Sequence, residues 1–181
     1  MTQPLGPGVL LLADPILLEP HFARTVILLC EHSEKGAMGL VLNRPLQVLL
    51  EEVLQEPDAL AEEGAVLHWG GPVSGEQLCL LHGGESTSGE QIVPGVVLDA
   101  DMEAARSARK SDRPVRFFLG YAGWGEGQLE DEMDEGSWRI VPATAEAVFA
   151  ESSSALWAHL IADQDPDLAW IRHVPDDPSV N

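Results

Sequence analysis

The chain has 181 residues, 45% of them hydrophobic, with two cysteines and a formal net charge of −20. That length and composition suit one domain with a real core and exclude a disordered chain. The acidity opposes the phosphates of nucleic acid, no apolar run is long enough to span a bilayer, and no basic residue precedes the first apolar run as in a secretory leader; a cytoplasmic protein with reduced, buried thiols is expected.

The apolar run at 8–13, GVLLLA, reads as a strand ended by Asp14-Pro15. Residues 24–32, RTVILLCEH, are apolar on both faces and read as a central strand. SEKG turns the chain and AMGLVLN returns, so 24–43 is expected to be a β-hairpin. Pro45 suits the first turn of a helix. Leu46, Leu49, Leu50, Val53 and Leu54 then share one helical face, with an end before Pro57.

Two strands follow, AVLHW and EQLCLLH, joined by GGPVSG, and GESTSGE is a polar loop. IVPGVVL is expected to be one extended segment, placed on an edge or in an irregular strand by Pro94. Asp99 or Asp101 can cap a helix over 102–110. VRFFLG reads as a strand, the glycine-rich GYAGWGEG as a joint, 127–135 as a helix and SWRIVPA as a strand. Thr144 can cap a further helix, SSALWAHLIA gives another, and 175–181 read as a disordered tail beyond a single domain over 1–174. Strands joined as hairpins and mixed with helices favour α+β over a doubly wound sheet.

Cys30 and His32, two apart on a strand, are expected on one face, where an imidazolium would activate the thiol. They are the only catalytic candidates, and a buried thiol is the preferred reading. Zinc drawn from Cys30, His32, Cys79 and His82 is disfavoured, because Cys79 and His82 fall on opposite faces. The joint at Gly120, Gly123 and Trp124 could cradle a phosphate at a helix start. It lacks the lysine and hydroxyl of a Walker loop, and acids including Glu132 crowd it. Close backbone packing, with Trp124 covering the gap, is the expectation.

Asn43 and Arg44 read as a helix-start cap and a surface ion pair, or Arg44 as a binder of a carboxylate or phosphate group. His68, Trp69, Gly70 and Gly71 could line a small-molecule cleft or form a bend. The acidic run at 126–135 does not follow a calcium-loop spacing and is expected to be a solvated helix face. The basic residues Arg106, Arg109, Lys110, Arg113 and Arg116 are the one local exception to the acidity. No metal and no cofactor are expected.

In combination, FARTVILLCEHSEKGAMGLVLNRPL, HWGGPV, LLHGG, GYAGWGEGQLEDEM and SWRIVPA resemble the AlgH/YqgE-like family of bacterial proteins over residues 8–143. Asp14 and Cys79 depart from the family pattern, and the region after 150 matches poorly. The resemblance implies a compact α+β fold with a mixed, mostly antiparallel, partly barrel-like sheet and flanking helices. It carries the label of transcriptional regulator, inherited from a genetic effect on exopolysaccharide production, with no DNA-binding element and no settled activity. The expectation is a regulatory protein that binds another protein or a small ligand near the 30–44 hairpin and the 120–132 joint. Asn43, Arg44, Trp69, Gly70 and Gly71 would border that cleft on one side, and Gly120, Gly123, Trp124, Gln128 and Glu132 on the other. The alternatives are a thiol-dependent enzyme or redox sensor using Cys30 and His32, and direct DNA binding. A monomer or weak homo-oligomer without membrane contact is expected.

Overall fold

A computed structural model describes residues 4–53, 65–85, 88–150 and 155–174. Ten strands form one sheet: β1 Val9–Ala13, β2 Val26–Ser33, β3 Gly36–Val41, β4 Pro45–Leu49, β5 Val66–Trp69, β6 Val73–His82, β7 Glu90–Val93, β8 Val96–Asp99, β9 Val115–Trp124 and β10 Trp138–Pro142. The helices are α1 Leu50–Val53, α2 Met102–Lys110, α3 Gln128–Asp134, α4 Ala145–Val148 and α5 Leu156–Gln164, followed by a 3-10 turn at Pro166–His173. The main path runs β10-β1-β2-β3-β9-β6-β8-β7, with β4 and β5 joined to the side of β9. All pairings are antiparallel except β5 with β9. The result is an α+β half-barrel.

The continuous apolar runs of β1 and β2 follow from burial on both faces. Leu10, Leu12, Leu28 and Cys30 pack against α4 and α5, while Leu11, Ile27 and Leu29 pack beneath α3. Each such side chain contributes about 1.5–3 kcal/mol of burial. Asp14, the departure before Pro15, is compensated by Arg139, whose Nε donates to its carboxylate at 2.8 Å. Helix α2 is capped by Asp101, whose carboxylate accepts the Glu103 N–H, and α4 by Thr144.

Three expectations change. Pro45–Leu49 is strand β4, pairing Pro45 with His68 and Leu49 with Val66, and α1 covers only Leu50–Val53. Proline fits because β4 pairs on one side only, so its missing N–H costs no ladder bond. Leu54 and the stop before Pro57 lie outside the described residues, as does the tail at 175–181. The run at 92–98 is a hairpin rather than one segment, because Pro94 and Gly95 (φ +80°) turn β7 into β8. Strand β9 does not stop with VRFFLG at Gly120. It kinks at Gly120 (φ +69°) and continues through Trp124, pairing first with β5 and then with β3 along the same edge.

Candidate functional site

Gly70, Gly71 and Gly120 do different work from a ligand loop. A Cβ at Gly70 would lie 2.2 Å from the Gly120 carbonyl oxygen, and one at Gly71 2.1 Å from the Tyr121 carbonyl carbon. At Gly120 it would meet the Gly71 oxygen at 2.5 Å. The 70–71 backbone therefore lies directly on β9, with Gly70 N–H donating to Leu119 O and Gly70 O accepting from Val41 N–H. Gly70, Gly71 and Gly120 are buried, and the Gly70 N–H is already bonded within the sheet, which is backbone packing and not an open anion cradle.

Beside this crossing the β6–β9 ladder is interrupted. Val73 pairs with Tyr121, but the next pair is Leu78 with Leu119, so residues 74–77 bow outward, with Ser74 at φ +50°. The gap opens a cleft of about 690 Å³ between this arm and the β2–β3 turn. Its floor is β9 at Tyr121, Gly123 and Trp124; Glu31, His32, Lys35 and Met38 line the hairpin side, and Val73, Gln77 and Cys79 the arm. Gly123 is exposed, and a Cβ there would stand 3.4 Å from Tyr121 and Val73, an ordinary contact.

Strand alternation predicts Cys30 and His32 on one face, and a bulge between Leu29 and Glu31 overturns this. Cys30 turns into the core with Leu28 and Leu40, its thiol donating to Leu28 O at 3.5 Å. His32 turns to α3 instead, where Nε2 meets Glu130 Oε1 at 2.7 Å. Burial, then the neighbouring Cys79, Glu31 and Glu90, pushes the Cys30 thiol far up, so it keeps its proton. Burial also raises Cys79, although this thiol borders the cleft. His82 sits three residues on, facing away toward α2, and no metal-holding cluster occurs among the described residues.

Glu132 is a structural hub. One of its oxygens accepts the indole N–H of both Trp124 (2.9 Å) and Trp138 (2.8 Å), and the other accepts from Gln128 Nε2 at 2.9 Å. Gln128 Oε1 in turn accepts the Gly125 N–H. The indoles meet edge-on, 6.2 Å between centroids, and this chain of bonds fixes α3 to β9 and β10. Asn43 caps no helix. Its oxygen accepts the Val26 N–H at 2.9 Å and its amide donates to Arg24 O at 2.8 Å, while Arg44 donates to Ala23 O. Trp69, half-buried, stacks with His21, lies tilted against Phe22, and does not line the cleft. His68 is buried, its Nε2 accepting from Arg116 at 3.0 Å; burial and then that guanidinium push its pKa down to about 4.

A family model described as AlgH-like matches residues 10–169. The chain belongs to the AlgH-like family. The match runs past residue 143, where the quoted motifs end, and so includes α4 and α5. Similar members include a UPF0301 protein of Chlorobaculum tepidum, 37% identical over 98% of this chain and 96% of that protein. Another from Streptomyces coelicolor is 40% identical over 96% of this chain and 94% of its own length. The solution structure of the AlgH protein from Pseudomonas aeruginosa superposes with a TM-score of 0.71 at 30% identity, covering 90% of this chain and 92% of the other. A crystal structure from Corynebacterium diphtheriae gives 0.77 at 24% identity, covering 95% and 94%, and so shares the fold.

For this AlgH-like chain, the cleft residues that sequence reasoning did not place there include Tyr121, Met38, Gln77 and Cys79, the last weighed only as a zinc ligand. The alternation in EQLCLLH was a usable signal for the last two. Leu78 and Leu80 pack under α2, so Gln77 and Cys79 must turn the other way. Nothing in GGPVSG announced that Val73 pairs with β9 while the next residues leave it.

Proposed function

We propose that this AlgH-like chain is a non-catalytic cytoplasmic regulator that receives a partner segment or small ligand in the cleft between the β2–β3 turn and the β6 arm. The break in the β6–β9 ladder carries this reading, because it opens about 690 Å³ beside a sheet otherwise fully paired there. The lining mixes apolar side chains (Met38, Val73, Tyr121) with a few polar groups (Glu31, Lys35, Gln77), the usual balance of a binding pocket. Against a thiol enzyme stand the separation of Cys30 from His32 and thiols that burial keeps protonated. No helix among the described residues is long and apolar enough to cross a membrane.

Direct DNA contact is disfavoured by the charge of −20 and by the scattering of the basic residues. Arg116 points inward to His68 and the Val148 carbonyl, and Arg106 pairs with Glu103. Retention on duplex DNA at low salt is expected to be absent; strong salt-dependent retention would overturn this.

Complementation of a strain lacking the gene, read as its transcript profile, tests the cleft. Gly123→Leu fills the floor where a Cβ already fits, so the protein should fold and yet fail to complement. Cys30→Ser should complement. Full complementation by Gly123→Leu sinks the cleft reading, and failure of a folded Cys30→Ser with rapid native alkylation of Cys30 would favour the thiol enzyme.

A further inference from the structure

We propose that the occupant of the cleft is an extended segment of a partner protein in which basic and apolar side chains alternate. The inference rests on the cleft reading above and adds the chemistry of what enters it.

The backbone comes first. Strand β6 meets β9 at Val73 and again from Leu78, and it meets β8 only from Leu80. Ser74, Gly75 and Glu76 therefore have no cross-strand partner among the described residues, and all three are exposed. A Cβ at Gly75 would meet nothing within 4 Å, so this stretch is open to approach. Strand backbone without a partner is a template for a further chain, whose side chains then point alternately to two faces.

The side chains set the pattern of the segment. Met38, Val73 and Tyr121 line the cleft half-buried, an apolar seat for every second residue. Glu31 and Glu34 on the hairpin and Glu76 on β6 are exposed acids on its two flanks. Lys35 is the one lysine or arginine of these two stretches, and Glu130 beyond them is already held by His32 at 2.7 Å. On a chain of net charge −20, these flanks steer and hold a basic segment. The same acids oppose a second copy of this chain on the edge, because like charges would meet.

Titration of a blocked hexapeptide, (Arg-Val)₃, into full-length ¹⁵N-labelled protein tests this. Its controls are a peptide with three arginines followed by three valines, of equal charge and composition, and (Glu-Val)₃. The expected result is a saturable shift of the Gly75, Glu76 and Gly123 amides, with binding at least about tenfold tighter than for the three-and-three peptide and none for (Glu-Val)₃. Gly123→Leu should abolish it. Equal binding of the three-and-three peptide would show charge alone and overturn the proposal. So would the absence of saturation up to about 1 mM, or the same shifts on raising the protein concentration without peptide, which would mean self-pairing. If (Arg-Val)₃ does not bind and Gly123→Leu still fails to complement, the cleft stands and this occupant falls. A complementing Gly123→Leu removes the cleft reading itself.

Discussion

Gly71 and Gly120 belong to one kind of glycine, Gly125 and Gly127 to another, although the sequence strings the last three together in a single motif. At the first two, backbone lies on backbone with no room for a methyl group. At Gly127 nothing lies within 4 Å, and at Gly125 only the Gln128 side chain comes near. The motif is therefore two devices end to end: a crossing that lets the 70–71 backbone reach β9, and a solvent-side entry to α3 held by side chains. The same letter meets a steric demand in one place and only a conformational one in the other.

The sharpest way to break this contrast is to add one methyl group to each device. Gly71→Ala should lose about 5 kcal/mol or fail to fold, since the displaced atoms are backbone; denaturant unfolding reads it. Glu132→Ala should come next, at roughly 2–4 kcal/mol, because two buried indole N–H groups lose their acceptor. A change in near-ultraviolet circular dichroism should accompany the loss as the edge-on pair loosens.

The crossing side also carries a pH signature. His68, next to it, is neutral when folded and has a pKa of about 4, against about 6.5 unfolded. Between those values the unfolded chain binds the extra proton, so its contribution is complete above about pH 6.5 and shrinks as pH falls toward 4. At pH 4.5 the wild type should have lost about 2 kcal/mol more than His68→Gln, relative to pH 7, in paired unfolding curves. Equal losses would show that His68 is not held neutral. The smallest effect belongs to Gly127→Ala, about 1 kcal/mol for the left-handed φ of +72° with no clash. A cost matching that of Gly71→Ala would erase the distinction.

Much of the fold was legible because the local signals agreed. The β2–β3 hairpin, the Asp101 and Thr144 caps and the two-faced burial of β2 all follow from residue patterns within a short window. What was hidden depends on partners far along the chain. Pro45 begins a strand because β5 offers it an edge, and Asn43 looks like a cap but holds the start of β2. The bulge that parts Cys30 from His32 has no letter of its own, yet it decides whether the pair could be chemical. Of the residues expected to border a cleft, Gly123 and Trp124 line the one at the β2–β3 turn, while Asn43, Arg44, Trp69, Gly70, Gly71, Gly120, Gln128 and Glu132 do not. The cause of the cleft, an arm of β6 leaving the ladder, shows only when the register is counted.

Strand β1 lies between β2 and β10, with Val9 opposite Pro142. During synthesis this greasy ribbon must wait while about 130 more residues leave the ribosome. Until then one of its margins offers unpaired amides to any passing strand. A chain broken off before Trp138 should thus be sticky rather than merely loose, and its neighbours in a crowded polysome would be the first to pay for it.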